Sequence, residues 1–182
     1  MRNIILCLAL MLITGCNSVA LDEKWLPLEE MVERPTTNGS SGITTTIGRK
    51  IYRANIDAYL EKNPPGSARF DSLLYHEQIH SKRQLKMGLA TWLAKYGTDI
   101  EFMLKEEQLG YYAALHNLRR RGMSRSAESI ALSMSKYKNL VGSMVSYEDA
   151  LAWARDMISG RWKPAEEDLW SLPEWLVRLG HS

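Results

Sequence analysis

Three residues in one short stretch, His76, Glu77 and His80, could together bind a metal ion and use it in chemistry. They form the pattern His-Glu-x-x-His, in which the histidines are four positions apart. On a helix this spacing places both imidazoles on one face, one turn apart, where they can bind the same ion. Glu77 then lies beside them and can reach a water molecule bound to the metal. The pattern therefore predicts a metal site with a carboxylate base beside it.

The sequence around this pattern predicts a single helix that begins at Ser67 or Asp71 and ends at Gly88. A helical projection places the three polar residues on or beside the face that carries Phe70 and Leu74, which should turn inward. The opposite arc should face solvent: it carries Asp71, Tyr75, Gln78, Lys82 and Lys86. Burying an unpaired glutamate and two imidazoles costs several kcal/mol, which a bound zinc ion would offset. Alternatively, the three groups line a wet groove or hydrogen-bond to one another.

A second helix carries the candidate for a third metal ligand. A capping box at Thr98 predicts a helix that runs to Arg121. Glu107 is the only acidic residue on the apolar face of this helix, whereas Glu106 projects about 100° away, nearer Arg120. Glu107 is therefore the predicted ligand. A buried partner for an arginine or lysine is the alternative interpretation of Glu107.

Residues 67–115 resemble the gluzincin class of zinc metalloproteases, in which a glutamate on a following helix completes the His-Glu-x-x-His site. The run Glu107-Gln108-Leu109-Gly110-Tyr111 is similar to the E-x-x-A/G-Y run of small bacterial proteins of this kind. The resemblance implies that His76, His80 and Glu107 bind Zn²⁺ and that Glu77 acts as the general base. No H-x-x-G-x-x-H continuation follows His80, so the metzincin pattern is not met.

Two further features could contribute to substrate binding. Ile43–Tyr52 is rich in Ile, Thr and Tyr around Gly48, which predicts a β-hairpin whose edge strand could pair with a substrate peptide. Tyr111 lies one turn beyond Glu107 and could donate a hydrogen bond to a developing oxyanion. A purely structural hairpin and a core tyrosine are the alternatives.

Residues 1–15 resemble a bacterial lipoprotein signal peptide. Arg2 precedes the apolar run Ile4–Ile13, which is too short to span a bilayer, and Ile13-Thr14-Gly15-Cys16 resembles the lipobox. The resemblance implies cleavage before Cys16, acylation of that cysteine with palmitate among the chains, and a membrane anchor at the cell envelope. Asn17 after the cysteine favours the outer membrane, facing the periplasm, in a Gram-negative cell. An ordinary secretory signal or a fortuitous cysteine is the alternative.

Composition limits the remaining possibilities. The chain has 182 residues and a net charge of +2, which fits one globular domain and does not favour nucleic-acid binding. Residues 16–42 are predicted to be a lipidated cysteine and flexible tether. Its apolar residues Trp25, Leu26 and Leu28 are expected to pack on the domain, the alternative being a position near the lipid surface. Residues 43–182 are predicted to form one α+β domain, mainly helical, with a zincin-like helix pair beside a small edge strand.

The sequence therefore favours a membrane-anchored zinc metallopeptidase that hydrolyses peptide bonds in a protein or peptide substrate at the cell envelope. The alternative is a non-catalytic envelope lipoprotein that acts as a binding or scaffold module, with structural zinc or none. A fourth protein ligand that closes the metal site would favour this alternative.

Overall fold

The structure is a computed structural model that describes residues 18–34 and 44–179. Within these ranges one sheet is formed by β1 (Ser18–Ala20), β2 (Glu30–Glu33), β3 (Thr44–Ile47) and β4 (Lys50–Arg53). The helices are α1 (Ile56–Lys62), α2 (Ala68–Met87), α3 (Leu89–Thr98), α4 (Ile100–Arg120), α5 (Ala127–Met134), α6 (Tyr147–Ser159) and α7 (Glu174–Leu179). Short 3₁₀ helices lie at Glu23–Trp25 and Glu166–Ser171. The predicted class, α+β and mainly helical, is confirmed.

The sheet has the strand order β1-β2-β4-β3. β2 and β4 are parallel, and the two outer pairs are antiparallel. β3 and β4 form the predicted hairpin, which turns through Gly48 and Arg49. Gly48 has a φ of 59°, a value that a two-residue hairpin turn requires and that glycine adopts without strain. Among the described strands, β3 lies at one edge of the sheet, next to β4.

Residues 18–34 are part of the folded domain, so the predicted flexible tether is wrong for this segment. β1 and β2 form half of the sheet, and Trp25, Leu28 and Met31 are buried against α2. The predicted packing is confirmed for Trp25 and Leu28, whereas Leu26 is 54% exposed. Strands of three and four residues are too short to show a period of two, which is why the sequence did not reveal them. Cys16 and the polar run 36–42 lie outside the described residues.

α2 is the central element of the fold, because the sheet packs on one side of it and α4 on the other. The Ser67 hydroxyl caps its N-terminus by accepting from the Phe70 N–H, and the helix ends before Gly88, as predicted. The predicted polar outer arc is wrong at two positions, since Asp71 and Gln78 are both 5% exposed. Gln78 donates to the Leu26 carbonyl at 2.7 Å. The segment interpreted as a tether therefore covers this side of α2.

Side-chain caps define the starts of α4, α5 and α6. Asp99, rather than the predicted Thr98, caps α4 by accepting from the Phe102 N–H, and α3 continues to Thr98. Ser126 and Ser146 cap α5 and α6 by accepting from the N–H groups of Ser129 and Asp149. A second core, distinct from the one beneath the sheet, joins α4, α5 and α6. None of the helices among the described residues has the length and apolarity that a bilayer crossing requires.

Candidate metal centre

The structure brings His76, His80 and Glu107 together at the contact between α2 and α4. Each offers one ligand atom, and these atoms all lie within 4.8 Å of one another. His76 Nε2 is 3.4 Å from Glu107 Oε2, and His80 Nε2 is 3.6 Å from Glu107 Oε1. All three side chains are buried. The group could hold a metal ion, as the helix phases predicted.

The charges around the group favour a cation. Burial alone would lower the pKa of His80, but the carboxylates of Glu106, Glu107 and Glu77 raise it to about 9. Burial alone would raise the pKa of Glu107, but His76 and His80, with the Tyr96 hydroxyl, lower it to about 2. Three buried carboxylates thus surround two imidazoles. A divalent cation would neutralise this excess of negative charge in place of the imidazole protons.

One carboxylate oxygen of the group has no hydrogen-bond donor, and a metal ion could bind to it instead. Glu107 Oε2 is fully shielded from solvent and accepts no hydrogen bond. Glu107 Oε1 accepts from the Tyr96 hydroxyl at 2.6 Å, which fixes the orientation of the carboxylate. A buried carboxylate oxygen without a partner costs free energy, and coordination to a cation removes that cost. The residues present therefore fit a bound metal ion.

Glu106 lies behind His80 and does not project towards Arg120, so the predicted position of Glu106 is wrong. Its side chain is fully buried, and Oε2 is 3.6 Å from His80 Nδ1, the ring nitrogen opposite the ligand atom. Both atoms are buried and lack a hydrogen-bond partner. Glu106 Oε1 accepts from Arg83 Nε at 2.6 Å. Glu106 therefore stands where an outer carboxylate can orient a metal-ligating imidazole.

Arg83 connects this carboxylate to the C-terminal part of the chain. Its Nη1 donates to Asp168 Oδ1 at 2.9 Å, and both side chains are buried. Asp168 lies in the 3₁₀ helix Glu166–Ser171 and also pairs with Lys105 of α4 at 2.8 Å. This network could not be predicted from the sequence, because its members are far apart along the chain and no local pattern connects them.

Gly110 allows α4 to approach the His76 ring. A Cβ atom at this position would lie 2.7 Å from His76 Cε1 and 2.8 Å from both Cδ2 and Cγ. Real Cβ atoms essentially never come so close to a neighbour. The Tyr111 ring packs against the same imidazole in a T-shaped arrangement, with centroids 5.0 Å apart. The position of His76 thus depends on the missing side chain at position 110.

Gly110→Ala is expected to displace the His76 ring and to weaken binding of a divalent metal by about 10–100-fold. The helix itself should not suffer, because alanine favours helix by about 1 kcal/mol over glycine. Gly97→Ala is the matched control, since its Cβ would make only an ordinary contact with Leu140, at 3.7 Å. Titration with Zn²⁺ or Co²⁺, with circular dichroism for folding, measures both effects. Equal metal affinity in both variants would show that His76 does not need this close approach.

Glu77 is held against the edge strand β3. Its Oε2 accepts from the Thr46 hydroxyl at 2.7 Å, and the carboxylate is 4% exposed. Gln84 fixes the same strand by donating to the Thr46 carbonyl at 2.9 Å and accepting from the Gly48 N–H at 2.7 Å. The hairpin is therefore attached to the helix that carries the predicted metal ligands.

A cleft of about 1400 Å³ opens onto these residues. It is lined by His76, Glu77, His80 and Glu107 and by β3 along Thr44–Ile47. Tyr111 also lines the cleft. Burial and the charge of Glu107 raise the pKa of Tyr111, while Arg125 and the neighbouring hydroxyls of Ser133 and Tyr137 lower it in part. All five residues predicted for the metal centre are thus adjacent to one cavity, whereas the lipidation residue, Cys16, lies outside the described residues.

Comparisons with protein-family models, with curated proteins and with solved structures find no match for this chain.

Proposed function

We propose that this protein is a zinc-dependent peptidase of the gluzincin type. The observation that carries the proposal is the close grouping of the ligand atoms of His76, His80 and Glu107, with Glu77 lining the same cleft. Within residues 18–34 and 44–179 the group has three members. A catalytic zinc site characteristically has three protein ligands and one open position, whereas a structural site has four. The arrangement therefore favours catalysis over a structural zinc.

The donor set supports zinc as the ion. Two imidazole nitrogens and one carboxylate oxygen are a common catalytic zinc set, with bonds of about 2.0–2.2 Å. In a tetrahedral site such bonds place neighbouring ligand atoms about 3.3–3.5 Å apart. His76 Nε2 lies 3.4 Å from Glu107 Oε2, which is close to that spacing, whereas His80 Nε2 lies 3.6 Å from the other oxygen, Oε1. The three ligand atoms lie within 4.8 Å of one another, so the side chains would draw closer on binding the ion. When bound, zinc would lower the pKa of its water towards neutrality and polarise the carbonyl of the bond to be cleaved.

Glu77 would act as the general base and then as the acid. Its hydrogen bond from Thr46 uses Oε2 and restricts the side chain, while Oε1 can take a proton from the attacking water. The same carboxyl can pass that proton to the leaving amine. Burial of Glu77, which is 4% exposed, limits competing solvent water. Tyr111 is the proposed donor to the oxyanion that develops on the substrate carbonyl.

β3 would hold the substrate. Among the described strands it is one of the two outer ones, and it lines the cleft through Thr44–Ile47. An extended peptide can add to such an edge by main-chain hydrogen bonds, which would place its backbone beside Glu77 and the metal. The cleft volume of about 1400 Å³ exceeds the roughly 300–1,000 Å³ of ordinary small-molecule sites. An extended ligand fits it better than a small one.

The proposed location is the cell envelope, with the protein anchored by a lipid on Cys16. This part rests on the Ile13-Thr14-Gly15-Cys16 sequence after the apolar run. β1 begins at Ser18, directly after the proposed anchor, so the folded domain would lie close to the membrane surface. A substrate at that surface would be within reach of the cleft.

The purified protein is expected to bind one zinc ion per chain and to cleave an unstructured protein. A chelator should stop cleavage, and added Zn²⁺ should restore it. The reason is that His76, His80 and Glu107 contribute to catalysis by holding the metal ion. Elemental analysis and mass spectrometry of the products measure the two properties. Stoichiometric zinc without cleavage of any substrate in a broad peptide library would favour the scaffold alternative.

A further inference from the structure

Positive charge lines the cleft on both sides of the candidate metal centre. One group lies on β4, α1 and the start of α2 and consists of Arg53, Lys62 and Arg69. The other lies around α5 and consists of Arg125, Lys136 and Lys138. Glu77 and Glu107 are the carboxylates in the described lining, and both belong to the metal centre. The walls therefore carry a surplus of cations.

These six cations have no carboxylate within 4.0 Å among the residues that the structure describes. Some cations outside the cleft lining have such partners, as Lys50 has Glu30, whereas others, such as Lys86 and Lys163, have none within the described ranges. What distinguishes the cleft is that six unpaired cations line one cavity that contains only two carboxylates among its described residues. This arrangement leaves a positive potential there.

Two buried N–H donors of the same lining also lack an acceptor. Arg53 Nε and Trp92 Nε1 are shielded from solvent, and neither has a hydrogen-bond partner. Leaving a buried donor unpaired costs about 1–3 kcal/mol. A ligand that is rich in acceptor atoms would remove this cost. The cleft thus offers both positive charge and unused donors.

The two arginines of the cleft lie close to the reacting groups. The Arg53 guanidinium lies over the Tyr59 ring, 3.9 Å from its centroid. Burial lowers the pKa of Arg53, and the charge of Glu77 raises it in part. The Arg125 guanidinium lies 5.3 Å from the ring centroid of Tyr111, the residue that packs against His76. Positive groups thus approach the metal centre through Glu77 on one side and through Tyr111 on the other.

We propose that the cleft selects an acidic peptide, with carboxylate side chains on both sides of the bond that lies at the metal centre. This inference rests on the proposed peptidase function and names its substrate class. The two groups of cations would pair with substrate carboxylates on either side, and the metal centre lies between them. A peptide with lysine at the same positions would be repelled at both walls.

Three internally quenched peptides of equal length, with Glu, Gln or Lys flanking the same neutral core, test the inference on the full-length protein. The Glu peptide is expected to give a kcat/KM about tenfold above that of the Gln peptide, and the Lys peptide should be the poorest. The preference should shrink between low and 0.5 M salt, because charge screening weakens it. Equal rates for Glu and Gln peptides, or a preference for Lys, would overturn the inference and leave the peptidase function intact.

Variants on each wall locate the preference. Lys62→Gln with Arg69→Gln, and Lys136→Gln with Lys138→Gln, remove exposed charges from the two walls and should each reduce the Glu-to-Gln ratio several-fold. Lys24→Gln with Lys163→Gln removes the same charge from exposed positions outside the cleft lining and should leave the ratio unchanged. A ratio that falls equally in all three double variants would assign the preference to net charge and reject the cleft.

A binding measurement separates the failure of this inference from the failure of the proposed function. Fluorescence anisotropy with labelled, uncleaved peptides is made on zinc-loaded Glu77→Gln protein. Tighter binding of the Glu peptide, without cleavage of any peptide by the wild-type protein, would reject the peptidase and retain the acidic ligand. Failure of the Glu peptide to bind more tightly than the Gln peptide would reject the acidic ligand even if cleavage is observed.

Discussion

Glu77→Gln is expected to retain the fold and the bound zinc while peptide hydrolysis falls by about 10²–10⁴-fold, the usual loss on removing a positioned base. Glutamine has nearly the same shape and can still accept the hydrogen bond that Thr46 donates to Glu77. It cannot take a proton from water. Zinc affinity should change little, because Glu77 is not among the three grouped ligands. Peptide turnover and zinc content, measured on the same preparation, report the two properties.

Glu61→Gln is the control for this variant, since it makes the same chemical change at an exposed position of α1. It should leave both turnover and zinc content at the wild-type level. A Glu77→Gln protein as active as the wild type would show that another group takes the proton, or that the activity belongs to a contaminant. Loss of zinc in Glu77→Gln would instead place Glu77 among the ligands.

The local parts of the site could be predicted from the sequence because helix geometry alone determines them. A spacing of four residues determines that His76 and His80 share one face of α2, wherever that helix packs. The assignment of Glu107 needed only the phase of α4, since it was the single acid on an apolar stripe. The structure packs α2 against α4, which brings the face that carries the two histidines to the face that carries Glu107.

The parts that could not be predicted depend on contacts between distant segments. Helix phase assigns Gln78 to a solvent face, but the segment predicted to be a tether covers it through the Leu26 carbonyl. Helix phase also assigns Glu106 to a position near Arg120, and no local pattern reveals that Arg83 of another helix bonds to it. Helix phase gives the direction of a side chain but does not show what fills that direction.

Glu106 and Glu107 are adjacent glutamates with different surroundings, so we expect different effects on metal binding when each is changed. Glu107→Gln removes the anionic ligand but can still accept the hydrogen bond from Tyr96. Glu106→Gln keeps an acceptor for Arg83 but removes the charge that faces His80 Nδ1. The first change acts on the ion directly, and the second acts through the orientation and basicity of an imidazole.

Glu106→Gln is expected to weaken zinc binding by about 10–100-fold, as loss of an outer carboxylate usually does, and Glu107→Gln should weaken it by more than that. Glu101→Gln, at an exposed position on the same helix, should not change it. Competition titration against a chromophoric chelator gives the three affinities, and thermal unfolding without metal shows whether the variants remain folded. If Glu106→Gln weakened zinc binding more than Glu107→Gln, Glu106 would be the ligand and Glu107 the outer carboxylate. Wild-type affinity in Glu106→Gln would show that the 3.6 Å approach to His80 does not orient the ring.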